Sequence, residues 1–318
     1  DSAFTNYKAT RTPWGKDLVR PFVEAFRAEG LRVGFYYSLL DWHHPDFPID
    51  IFHPLRNHPR AAEMNETRDV RRYAEYLRNQ VGELLTGYGP VDILWLDYSY
   101  PGREYKGLPG KGRADWESEK LLALVRELCP RIMLNNRLDL PSAADFYTPE
   151  QVQPLEWVKV DGEPVVWEAC QTFSGSWGYH RDETTWKSPE QLIQMLINTV
   201  AIGGNLLMNV GPTALGTFDA RAGRALRAYR DWMALHGESI YGCTQSAFTA
   251  PRDCRLTQKG NRLFVHVFAW PFRLLVLPGL AGKVSYARFL HDGSQVKMES
   301  NAWELGQLGL DASTLALT

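Results

Sequence analysis

The sequence predicts an α/β protein, a (β/α)8-like barrel followed by a C-terminal β-sandwich. Three observations predict it. Short apolar runs alternate with amphipathic helical segments over the first 237 residues, the order that builds parallel sheets. Polar or aromatic residues close several of those runs, as at Tyr36-Tyr37-Ser38, Asp97, Asn136-Arg137, Glu168 and Asn209, and a barrel places its active site at that face. Past residue 237 the helical spacing gives way to short alternating runs separated by Gly, Pro and Asp, a pattern of antiparallel strands.

Residues 31–38 (LRVGFYYS) follow Gly30 and read as a buried strand. Residues 61–85 read as a helix, with Tyr73, Leu77, Val81 and Leu84 on one stripe. Residues 91–97 (VDILWLD) follow the turn pair Gly89-Pro90 and form the next strand. A helix over 116–129, a strand over 131–136 (RIMLNN) and a strand over 165–170 come after it. Ser188-Pro189-Glu190 supplies an N-cap with Pro at the first helical position, opening a helix to about Ile202. Residues 205–210 (NLLMNV) form a strand, and 218–236 a helix with Ala225, Leu226, Tyr229, Trp232 and Met233 inward. Runs 262–268 (RLFVHVF) and 273–277 (RLLVL) represent the β-domain. The expected division is 1–237 and 238–318.

Five such strands are visible, whereas a barrel uses eight. The first helix, 15–29, has no strand before it. The three absent βα units amount to roughly 100 residues. The expectation is therefore a barrel entered after its third strand and incomplete at the N-terminus. An open five-stranded sheet is the alternative that the pattern leaves. No GxGxxG or GxxxxGK[ST] follows any strand, which removes the usual nucleotide-binding versions.

Composition narrows the function classes. The chain of 318 residues is 44% hydrophobic and 23% charged, ordinary for a globular protein. Its 35 basic and 37 acidic residues leave a net charge of −2, so nothing favours nucleic acid. No run of 18 apolar residues occurs, so no membrane span is expected. The four cysteines, Cys129, Cys170, Cys243 and Cys254, lack CxxC spacing and read as buried thiols, with a Cys243–Cys254 bridge left open. No signal peptide is visible and the chain opens on Asp1-Ser2, which leaves localisation open. Oligomeric state is not legible. The 11 Trp residues are the unusual number. Trp95, Trp167 and Trp177 fall at or just beyond strand ends, where a pocket would lie. Trp14, Trp116, Trp186 and Trp232 sit in or beside helices and read as packing.

Alternation puts Val91, Ile93, Trp95 and Asp97 on one face of their strand. Asp97 then stands at the mouth beside Trp95 and Tyr98, a position for a nucleophile or base. Acid–base work needs a second carboxylate. Glu150, in the loop DFYTPEQ, and Glu168, closing VVWE, are the candidates. Arg137 is a cation at the same face. The loop 41–58 carries Asp41, His43, His44, Asp46, His53 and His58, which raises a metal-dependent barrel hydrolase as an alternative. HExxH is absent there, and ordinary loop hydrogen bonding is the plainer reading, so neither metal nor cofactor is expected. GxSxG is absent too, leaving serine catalysis unsupported.

Six segments in order carry a resemblance: DSAFTNYKATRTPWGKDLV (1–19), GLRVGFYYSLLDWHHPDF (30–47), VDILWLD (91–97), DFYTPEQ (145–151), VVWEACQTFSGSWGYHRDE (165–183) and NLLMNVGPTALGTF (205–218). Together the sequence resembles glycoside hydrolase family 29, the α-L-fucosidases. The resemblance implies a (β/α)8-like TIM barrel with a β-sandwich, and retaining hydrolysis of terminal α-L-fucose from oligosaccharides or glycoconjugates. By motif match Asp97 is the implied nucleophile and Glu150 the implied acid/base, with Glu168 second in line. Tyr36, Trp95 and Arg137 match positions lining the fucose pocket; Trp177, just beyond a strand end, joins them as an expected substrate contact. The family's His-His-Asp-Gly strand end would lie before Asp1, where the strand count also places the absent units. A fucose-binding protein without catalysis is the alternative that this implies.

Overall fold

The computed structural model describes residues 1–299, 306–307, 309–310 and 312–318. Two compact units divide the chain, residues 1–147 and 148–318. The division expected at 237/238 falls inside the second.

In the first unit, helix α1 (Val19–Ala28) precedes strand β1 (Gly34–Ser38). Helices α2 (Ala61–Asn65) and α3 (Val70–Gly87) lead to β2 (Ile93–Asp97). A hairpin of β3 (Glu104–Tyr105) and β4 (Leu108–Pro109), then helices α4 (Arg113–Trp116) and α5 (Ser118–Leu128), lead to β5 (Met133–Leu134). The sheet order is β1-β2-β5, all parallel. Helical crossovers make parallel pairing possible and cover the sheet. Hence β2 is apolar at consecutive positions, and Leu94, Trp95 and Leu96 are all buried. Leu39, Phe47, Tyr73, Leu77, Leu94, Trp116 and Leu134 are fully buried in the core of this unit. Removing such a side chain from water contributes roughly 2 kcal/mol each. Gly34 allows close pairing, since a Cβ there would meet Ile93 Cβ at 2.9 Å.

Two expected helices are each broken in two. The run 61–85 stops at Asn65, whose side-chain amide pairs with the backbone of Ile49, accepting at 2.6 Å and donating at 2.9 Å. Asp69 then caps α3 by accepting from Arg71 N–H. The expected 116–129 helix is interrupted at Glu117, which takes a left-handed φ of 48°.

The second unit opens with the hairpin β6 (Lys159–Val160) and β7 (Glu163–Pro164). Strand β8 (Glu168–Thr172), helix α6 (Pro189–Ala201), strand β9 (Asn205–Asn209) and helix α7 (Ala220–His236) follow. Strands β8 and β9 pair in parallel from Glu168↔Asn205 to Thr172↔Asn209. The N-cap expected at α6 is present, and the structure adds a capping box to it: Ser188 accepts from Gln191 N–H, and the Gln191 side chain accepts from Ser188 N–H. The remaining strands are antiparallel. They are β10 (Thr244–Gln245), β11 (Cys254–Lys259), β12 (Arg262–Val267), β13 (Leu275–Leu277), β14 (Ala287–Arg288), β15 (Gln295–Val296), β16 (Met298–Glu299) and β17 (Leu315–Leu317). They pair as β10-β11-β12, β13-β17-β16 and β14-β15.

The architecture is thus α/β with parallel pairs, then antiparallel β. Among the described residues, no ladder closes the parallel strands into a ring. No described helix is long and apolar enough to cross a membrane. Cys243 and Cys254 are not bridged to each other, and Cys170 and Cys254 are buried.

One strand differs from expectation in a way that moves a candidate. Only 168–170 of the expected run 165–170 lie in the strand; β8 begins at Glu168 and runs on to Thr172. Val165 instead follows the register of the β6–β7 hairpin, donating its N–H to Val158 O at 3.0 Å, while its carbonyl accepts from Trp157 Nε1. Glu168 therefore opens β8 rather than closing its strand. Trp167 is not at a pocket either: it is fully buried, against Gly204, where any Cβ would collide with the indole. Trp14, expected to pack, is 60% exposed.

Candidate active site

Strands β1 and β2 end together, with Ser38 opposite Asp97 and Tyr36 opposite Trp95. In both strands the odd-and-even alternation sends Tyr36 and Trp95 to one face with Asp97. Three donors converge on the Asp97 carboxylate. Tyr36 Oη donates to Oδ2 at 2.9 Å. Arg137 Nη1 donates to Oδ1 at 2.9 Å, and so does the backbone N–H of Tyr98, also at 2.9 Å. Both oxygens are thereby fixed in direction. The Arg137–Asp97 pair is mostly shielded, at 19% and 18% side-chain exposure, unlike a surface salt bridge.

Trp95 binds this group together from below. Its indole stacks on Tyr36 at 5.7 Å between centroids, and the Arg137 guanidinium lies over it at 4.6 Å. Partial burial of the phenol, reinforced by the Asp97 charge, raises the Tyr36 pKa well above its ordinary value. Tyr36 is therefore a donor across the working pH range.

Arg137 is aimed by residues outside the list of expected contacts. Asn135 is fully buried. Its side-chain amide accepts from Leu96 N–H at 3.0 Å and donates to Leu96 O at 2.8 Å. A side chain thus continues the β2–β5 ladder after Leu134, which is why the expected strand 131–136 shrinks to two residues. Ser99 Oγ donates to Arg137 O at 2.8 Å and accepts from Trp116 Nε1. The signal for Asn135 was present in the pair Asn135-Asn136 at a strand end, yet nothing in the spacing told which amide turns inward.

The other three candidates lie in the second unit. Glu150 is exposed and sits in a parallel bridge with Cys170. Pro149 O accepts from Cys170 N–H at 2.9 Å, and Gln151 N–H donates to Cys170 O at 3.0 Å. The Gln151 amide donates to Thr172 Oγ1 at 2.9 Å, and Gln171 Nε2 to Val152 O at 3.0 Å. The segment around Glu150 is thus held along β8 toward its carboxyl end. Trp177 is 41% exposed, and its carbonyl accepts from Asn209 Nδ2 at 2.5 Å, at the carboxyl end of β9. Glu168 stands at the opposite, amino end of β8, about 13 Å back along the strand from Thr172.

The polar side chains of loop 41–58 are engaged in local structure. Asp41 accepts from Tyr76 Oη at 3.0 Å. His44, His53 and His58 each accept a backbone N–H two residues on through Nδ1. Among the described residues, no three His, Cys, Asp or Glu side chains gather where they would hold a metal ion.

Comparison with known proteins places these residues in context. A family model described as alpha-L-fucosidase matches residues 1–238. The plasma alpha-L-fucosidase of Homo sapiens is 30% identical over 242 residues, covering 71% of this chain and 45% of that protein. The chain spans about half the length of the curated relatives it matches. Alpha-L-fucosidase isoenzyme 1 from Paenibacillus thiaminolyticus superposes with a TM-score of 0.89 at 39% identity, over 100% of this chain and 79% of that one. The GH29 alpha-L-fucosidase of Bacteroides thetaiotaomicron gives a TM-score of 0.81 at 25% identity, over 100% and 70%.

Proposed function

The chain belongs to the alpha-L-fucosidase family, and from that premise we propose that it hydrolyses terminal α-L-fucosides with retention, in two steps. The substrates are fucosylated oligosaccharides or glycoconjugates. The observation that carries the reading is the Asp97 carboxylate, closing β2 and held by Tyr36, Arg137 and the Tyr98 N–H. In the first step the carboxylate attacks the anomeric carbon, the bond to the leaving oxygen breaks, and Glu150 gives that oxygen its proton. In the second, Glu150 takes a proton from water, which displaces Asp97 and restores the anomeric configuration. Tyr36 and Arg137 direct the carboxylate, and Trp95 and Trp177 offer aromatic surface to the C–H faces and methyl group of fucose. Glu168 has a supporting role at the far end of β8.

The finer architecture is part of the same proposal. Residues 1–237 form the catalytic (β/α) barrel portion and 238–318 a β-sandwich. The family match ending at 238 supports this, as does the change from parallel to antiparallel pairing.

Replacing Asp97 by Gly tests the reading. Turnover should fall by about 10⁴-fold or more, the scale of losing a catalytic nucleophile. Azide should restore reaction by entering the vacated face, giving the β-L-fucosyl azide. Undiminished turnover in Asp97→Gly would remove Asp97 from the mechanism.

A further inference from the structure

Tyr98 directly follows the proposed nucleophile and holds a φ of 77°. Glycine takes that conformation freely, and a bulky side chain does not. Its N–H donates to Asp97 Oδ1, a contact that a backbone of any residue supplies. Glycine would make that contact and take that φ without strain, so the phenol ring answers to something else.

The ring is 40% exposed and stands edge-on to Phe52 at 6.3 Å between centroids. Phe52 in turn stands edge-on to Tyr100 at 4.7 Å. The fully buried Asp50 fastens the set. It accepts the backbone N–H of Phe52 at 3.0 Å and of His53 at 2.9 Å, and also the Tyr100 hydroxyl. Three rings from the loops after β1 and β2 thus make a rigid shelf with one end beside Asp97. Farther out the two loops are latched again, with Tyr105 Oη and Lys106 Nζ both donating to Asn57 Oδ1, at 2.9 and 3.0 Å. No step of the hydrolysis uses these rings.

We propose that this shelf is the leaving-group subsite, on which Tyr98 takes the C–H face of the pyranose that carries the fucose. The inference rests on Asp97 being the nucleophile, because that fixes which side of the shelf faces the scissile bond. A galactose-type ring, with three C–H bonds on one face, suits the face of an exposed aromatic ring that is held in place by other rings.

The test compares two substrates with one fucose but different leaving groups, fucosyl fluoride and a fucosyl-α(1→2)-galactoside. Tyr98→Gly keeps the N–H and accepts the φ, so it removes the ring alone. The ratio of kcat/KM for the galactoside to that for the fluoride should fall about fivefold. Tyr98→Phe should hold the ratio, and Phe52→Ala should lower it in the same sense. An unchanged ratio in Tyr98→Gly overturns the subsite. If the wild-type protein cleaves neither substrate, the fucosidase reading fails, and the shelf is read by saturation-transfer NMR with methyl β-D-galactoside. Transfer to the sugar that is lost in Tyr98→Gly supports it; no transfer in the wild type overturns it.

Discussion

Two parallel strand pairs, β1–β2 and β8–β9, have five-residue registers of the same form, yet they carry their carboxylates at opposite ends. Asp97 closes β2, where the register with β1 stops. Glu168 opens β8, where the register with β9 starts. Strand direction decides what each can do. Catalytic groups in parallel α/β folds gather where strands end and loops begin, which favours Asp97 and puts Glu168 at the wrong edge. Glu150 reaches β8 by another route, as a bridge partner of Cys170, and so lies nearer the carboxyl end than Glu168 does.

The largest effect that sharpens this contrast comes from the two glutamates. Glu150→Ala should slow cleavage of fucosyl oligosaccharides by about 10²–10⁴-fold, the range of a lost general acid. Fucosyl fluoride, whose leaving group needs no proton, should suffer far less. Glu168→Ala should not separate the two substrates. If it does, the comparison of strand ends is broken and the acid is Glu168.

Arg137 comes next. Arg137→Met removes one of three donors to Asp97 and the cation over Trp95, and kcat should fall about 10²-fold, comparable to losing one charge-stabilising donor. Arg137→Lys should recover only part, because a point charge does not reproduce the planar fork over the indole. Full activity in Arg137→Met would mean that Tyr36 and the Tyr98 N–H suffice to set the nucleophile.

The last prediction concerns stability rather than turnover, and it belongs to the second unit. Burial, and secondarily the nearby His236, lowers the His266 pKa from 6.5 to about 4. Between those values the unfolded chain binds the proton and the folded chain does not. The stability that neutral His266 allows is therefore complete above about pH 6.5 and is lost as pH falls toward about 4. The loss reaches at most about 3 kcal/mol. Urea midpoints measured across that range should slope less in His266→Gln than in the wild type. Equal slopes would show that His266 is not the titrating group.

Much of this arrangement could be read from the residues. The strands around Tyr36, Asp97 and Asn209 stand where the apolar runs and turn residues put them, and the Ser188-Pro189 cap opens its helix as expected. What escaped was structure made by side chains acting as backbone. Asn135 completes a ladder and shortens a strand; Asn65 pairs with Ile49 and breaks a helix. Neither leaves a periodic trace. The misplacement of Glu168 has a related origin. Val165 still pairs with Val158 beside the β6–β7 hairpin, and Trp167 fills space over Gly204, so the apolar run spans the end of one ladder and the start of the next. Apolar character reports burial, and only hydrogen bonding tells which buried residues form the strand.

The central claim is that Asp97 is the covalent nucleophile, and trapping tests it most directly. The protein should be incubated with a 2-fluoro-fucosyl fluoride, in which the fluorine slows the second step, and digested for peptide mass mapping. The account predicts one fucosyl adduct, on the peptide containing Asp97, and none in Asp97→Gly. An adduct on Glu150, Glu168 or any other side chain would contradict it.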